Sequence, residues 1–164
     1  MTVFHHHQHI DKDGRVLSAQ CLDLPTRLPA PPGPEALAAA GRVYWQCLRA
    51  FGAPLLQIRE AQDGGVAITA AGLTLLVFAP PLTVGSVALR YPIRHGWAVH
   101  PDHRCQGHLE MGVAPDAVTL TVAEYYPRLP GRIYALTQSP LHVHIARNYL
   151  QRLAREVAAW VPTS

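Results

Sequence analysis

Between Gly64 and Leu89 the chain runs for twenty-six residues without a charged side chain, and such a run has to be buried, either in lipid or in the interior of a protein. About 20 apolar residues are enough to cross a bilayer as a helix, so length alone permits insertion. Composition argues the other way. Gly64, Gly65, Gly72 and Gly85 interrupt the run, Thr69, Thr74 and Thr83 recur along it, and Pro80-Pro81 stand near its centre. Adjacent prolines remove N–H donors from the backbone ladder that a lipid-exposed helix must keep closed. The run therefore reads as buried β-strands, and the membrane is not an expected partner.

At 164 residues the chain fits one domain, which at this length buries roughly 70% of its unfolded surface and needs neither disulfides nor metal to hold a core. The formal charge of +3 is carried by thirteen arginines and Lys12 alone. These are scattered and form no basic block, so nucleic acid is not an expected partner. Cys21, Cys47 and Cys105 are odd in number and far apart, which suits a reducing compartment better than a disulfide framework. The opening Met-Thr-Val-Phe-His-His-His-Gln-His has no apolar signal core, so a cytoplasmic location is expected. Gly64-Gly65 lacks the spacing and the lysine of a phosphate-binding loop, and no cofactor is expected.

Residues 1–24 read as a β-hairpin. Two extended runs, Val3 to Ile10 and Arg15 to Leu24, flank Asp11-Lys12-Asp13-Gly14, whose Asp-Gly pair favours a tight turn. Prolines at 25, 29, 31, 32 and 34 then make a stiff connector without ladder bonds. A helix is predicted over 34–51. Pro34 suits its first turn, Gly52 its end, and Leu37, Gly41, Tyr44, Trp45, Leu48 and Phe51 repeat at three-and-four spacing. Over 54–126 short β-like runs alternate with turn residues, as in a meandering antiparallel sheet of about six strands. Ser139-Pro140 supplies a cap and a first-turn proline for a long helix over 139–160. Leu141, Ile145, Ala146, Tyr149, Leu150, Leu153, Val157 and Trp160 share one of its faces, and His144, Arg147, Asn148, Gln151 and Arg155 the other. The apolar face needs a partner of matching size, which only the sheet provides.

The expected fold is therefore α+β: a curved antiparallel sheet of about six to eight strands wrapped on a long C-terminal helix, with one helix before the meander. This order of elements resembles the helix-grip superfamily, which includes START lipid-transfer domains, plant pathogenesis-related ligand binders and polyketide cyclase-like proteins. The family usually opens with one strand and two short helices, where this chain has a hairpin and one helix. The resemblance implies a cavity between sheet and final helix that holds a small, mostly hydrophobic molecule. It also leaves room for a cyclase-, dehydratase- or isomerase-like enzyme on the same scaffold. A structural or partner-binding module whose seam is filled by side chains is the third reading.

Candidate ligand-binding residues follow from strand parity and the helical wheel. Val118, Leu120 and Val122 share one face of the last strand, and the same parity carries Glu124 and Tyr126. A carboxylate closing an apolar stripe would have its pKa raised by desolvation and serve as acid or base. His142 falls on the apolar face of the last helix near Tyr149. Arg90 would select an anionic group through its planar fork if it faces inward, and merely solubilises the sheet if it faces outward. For metal, His5, His7 and His9 alternate along one strand face, a spacing at which two imidazoles can chelate a transition metal, but no carboxylate or cysteine accompanies them; His100, His103, Cys105 and His108 crowd one loop in a spacing that matches no familiar zinc arrangement. No metal site is expected.

Overall fold

The computed structural model describes residues 2–28 and 33–159. Residues 29–32 of the proline-rich connector, and Trp160, which the expected apolar face of the last helix includes, lie outside that range. The hairpin forms as the Asp-Gly turn predicts: β1 (Phe4–Ile10) pairs antiparallel with β2 (Val16–Asp23) from Phe4 opposite Leu22 to Ile10 opposite Val16. The Asp11 carboxylate closes the turn by accepting the N–H groups of Asp13 and Arg15 at 3.0 and 2.9 Å. Gly14 takes the left-handed φ of +83° that the turn requires and that a residue without Cβ adopts freely.

Helix α1 (Pro34–Gly52) starts on a proline with Glu35 in its first turn and ends with Arg49 in its last, the charge order that complements the helix dipole. It buries Leu37, Ala40, Gly41, Tyr44, Trp45 and Leu48. Seven strands follow: β3 (Leu56–Glu60), β4 (Val66–Ala70), β5 (Leu73–Phe78), β6 (Leu82–Val84), β7 (Ala88–His95), β8 (His108–Val113) and β9 (Ala117–Tyr125). With the hairpin they make one open antiparallel sheet in the order β1-β2-β9-β8-β7-β5-β4-β3, and β6 also pairs with β7.

The uncharged run is thus pleated, and its prolines act within the sheet. Phe78 pairs with Ile93 and Leu82 with Arg90, so four steps on one side oppose three on the other, and β5 and β6 lie end to end along β7 with the extra residue at the Pro80-Pro81 break. An inserted residue bends the sheet locally. Gly85, at φ +58°, turns the chain between β6 and β7, so the stretch from Thr83 to Ile93 forms two strands.

The second helix, α2 (Gly131–Ala159), begins well before Ser139 and runs through Pro140, so Ser139 is an interior residue and not a cap. A proline inside a helix deletes one N–H bond to the residue four back. That residue, Leu136, is 80% exposed, and water can serve the carbonyl that is freed. From His144 on the expected faces hold: Ile145, Ala146, Tyr149, Leu150, Leu153 and Val157 are buried, whereas His144, Arg147, Asn148, Gln151 and Arg155 are exposed; Leu141, expected on the apolar face, is exposed instead.

Both helices cover the same face of the sheet. α1 lies on β3, β7 and β8, α2 lies on β1, β2 and β9, and the two helices pack against each other. An edge-to-face aromatic cluster joins the layers: Tyr44 meets Trp45 and Tyr149 at 4.9 and 5.2 Å between ring centroids, and Trp45 meets Tyr91 at 5.2 Å, an arrangement that adds to simple area burial. Among the described residues no helix is long and apolar enough to cross a membrane.

Candidate functional site

The helices and sheet do not close completely on each other. Between them is a partly open cavity of about 210 Å³. α1 contributes Tyr44, Leu48 and Phe51, the strands contribute Ile68, Leu76, Phe78, Ile93, Leu109 and Val122 among others, and α2 contributes Tyr134, Gln138, Leu141, His142 and Ile145. The strand side is apolar because each strand turns alternate residues toward the helices. Leu89, Tyr91 and Ile93 of β7 and Leu109, Met111 and Val113 of β8 are accordingly buried.

α2 carries the polar part of the wall. Tyr134, Gln138 and His142 are spaced four residues apart, so they line up one turn above another on one side of the helix. Gln138 and His142 are half-buried, and neither side chain has a hydrogen-bond partner among the described residues. Burial pushes the His142 imidazole down to about 4, which leaves it neutral near pH 7. Desolvation pushes the Tyr134 phenol up to about 12 and raises those of Tyr44 and Tyr125 as well. The phenols are therefore uncharged too.

Of the residues singled out in the sequence, His142 lines the cavity. Tyr149 stands just behind the wall, fully buried with its ring edge-on to Tyr44, and its hydroxyl has no partner among the described residues. Arg90 sits on the sheet face away from the helices, where its guanidinium binds Glu110 directly across the β7–β8 ladder at 2.7–2.8 Å.

Glu124 and Tyr126 are turned from the cavity by a β-bulge. Ser18 pairs with Val122 but Val16 pairs with Tyr125, so two steps on β2 oppose three on β9. The extra residue reverses the parity after Val122, and Tyr125 becomes the inward residue. Glu124, at φ +53°, points to solvent and binds Arg15 at 3.1 Å. Tyr126 instead stacks on His103 at 3.8 Å, beside a separate polar cleft of about 290 Å³ that His100 also lines.

The loop ligands do not converge. The His103 Nδ1 lies 3.2 Å from Gln106 Oε1, the Cys105 thiol donates to the Arg94 carbonyl at 3.3 Å, and His108 lies on the face that carries Arg90, where burial and that cation lower its pKa. On β1, His5 reaches Asp23 at 3.3 Å. Among the described residues no group of three ligating side chains is placed to hold a metal ion.

Gln138 was not legible in the sequence. Its signal is the four-residue step to His142, which becomes visible only when the helix is carried upstream through Pro140. In comparisons with known proteins, no family model, no curated protein and no solved structure matches the chain.

Proposed function

We propose that this protein binds a small, mostly apolar molecule in the cavity between the sheet and its two helices, in the manner of helix-grip ligand binders, and that it does so as a soluble cytoplasmic protein. The observation that carries the reading is the wall itself. A pocket closed by Leu, Ile, Phe and Tyr side chains, with a few polar groups on one helix, has the composition by which proteins hold small molecules. The free state of Cys21, Cys47 and Cys105 is consistent with a reducing compartment.

Binding is favoured over catalysis on this scaffold by the lack of a paired acid and base. Proton transfer needs a donor or acceptor poised near working pH beside a second group that orients it. His142 has no carboxylate next to it in the described wall, and the nearest sequence candidate, Glu124, is committed to Arg15 at the surface.

Thermal unfolding in the presence of ethylbenzene tests the reading. A ligand bound only by the folded state raises the melting temperature with its concentration. Ile145→Trp, which fills the cavity from α2, should abolish that rise while leaving the circular dichroism spectrum unchanged. If the melting temperature is indifferent to both ethylbenzene and 1-octanol at saturation in the parent protein, the cavity is not a binding site.

A further inference from the structure

The cavity wall carries no charge. None of the side chains that line it is Asp, Glu, Lys or Arg, and the residues outside the described range include no charged side chain either. Several arginines are engaged away from the cavity. Arg90 is held by Glu110, Arg15 by Asp11 and Glu124, Arg152 by Gln46 and Glu156, and Arg128 and Arg147 lie over the rings of Trp97 and Phe4. An ionised carboxylate or ammonium entering the cavity would lose its hydration and meet no counter-charge, and that cost is prohibitive for an isolated ion.

The wall is nevertheless not inert. Gln138 and His142 are adjacent on one face of α2, half-buried and without protein partners among the described residues. A primary amide offers both donor and acceptor, and a neutral imidazole offers one of each. Buried polar groups that stay unmatched are costly, so a site of this kind favours a ligand that supplies the matching group over one that lacks it. The cavity volume of about 210 Å³ falls below the roughly 300–1,000 Å³ typical of pockets for drug-sized molecules, which limits the ligand to something smaller.

From this wall we infer that the ligand is an uncharged, compact apolar molecule bearing one hydroxyl or carbonyl group, which Gln138 and His142 hold, and that fatty-acid-like carboxylates and alkylamines are excluded. The inference rests on the proposed binding role of the cavity and specifies its ligand.

Isothermal titration at pH 7.5 with ethylbenzene, 1-octanol, 2-octanone, octanoate and octylamine separates the two claims. The expected result is binding of octanol and octanone, with octanoate and octylamine at least about tenfold weaker, since tenfold corresponds to the loss of one good polar contact. Gln138→Leu and His142→Leu should each weaken octanol by about tenfold relative to ethylbenzene, while His142→Gln, which keeps a donor and an acceptor, should retain octanol. Octanoate bound as tightly as octanol, or octanol indifferent to both leucine variants, overturns the inference while the binding role stands. Failure of ethylbenzene and octanol alike overturns both.

Discussion

The Tyr125 hydroxyl donates a 2.8 Å hydrogen bond to the carbonyl of Ala98, tying the end of β9 to the loop that follows β7. Both residues line the cavity, so the bond fixes one side of its wall. Tyr125→Phe keeps the ring and removes the donor, while the Ala98 carbonyl keeps its 2.9 Å bond from the Arg128 N–H. The expected cost is about 1 kcal/mol, or roughly 2–4 °C in melting temperature for a domain of this size. Calorimetry of the two proteins measures it, and equal melting temperatures would mean the loop is held by other contacts.

Glu124 occupies the left-handed region at the bulge that brings Tyr125 inward. There an L side chain crowds its own carbonyl, whereas glycine does not. Its ion pair with Arg15 is exposed on both sides and adds little. Glu124→Ala removes the pair and keeps the strain; Glu124→Gly removes both. The glycine variant should be more stable than the alanine variant by about 1 kcal/mol, read from urea midpoints. The reverse order would place residue 124 outside the left-handed region in solution.

What the sequence disclosed was periodic, and what it hid was a break in a period. The strands of the uncharged run and the apolar stripe of α1 each repeat a spacing over several residues, and the structure contains them. The bulge before Tyr125 inserts one residue into a two-residue period, so it exchanges Glu124 for Tyr125 at the cavity without leaving a compositional mark. Pro140 misled in the same way, because a proline near a helix start and one in a tolerated interior position look alike until the environment of Leu136 is known. Of the site, His142 was legible from its position on the apolar face, while Gln138 lay on the far side of that proline.

α1 comes close to β7 at Gly41. A Cβ built there would lie 2.8 Å from the Tyr91 Oη and 3.1 Å from Leu89 Cδ2, both on buried residues that help set the helix–sheet spacing. Gly41→Val would therefore overpack the layer, and overpacking of this kind typically costs about 1–3 kcal/mol. Urea denaturation should show a lower midpoint with an unchanged slope. A midpoint equal to that of the parent would mean the helix can shift outward freely, and that the cavity width is not set at this contact.

His142 makes the stability of the fold depend on pH. In the unfolded chain its imidazole titrates near the ordinary 6.5, while in the fold burial pushes it down to about 4. Above pH 6.5 it is neutral in both states and contributes nothing to the pH dependence. Between 6.5 and 4 the unfolded chain takes up a proton that the folded protein refuses, so stability falls as pH falls through this window and levels off below it. At about 1.4 kcal/mol per pKa unit the loss is at most on the order of 3 kcal/mol, and it is smaller to the extent that solvent reaches the half-buried ring. His108 is shifted in the same direction, so the contribution of His142 has to be isolated by difference. Urea midpoints of the parent and His142→Leu, measured at pH 7.5 and pH 5, should show a shallower loss in the variant. Parallel losses in the two proteins would place the His142 ring in water, and the polar contact assigned to it in the cavity would fall with that result.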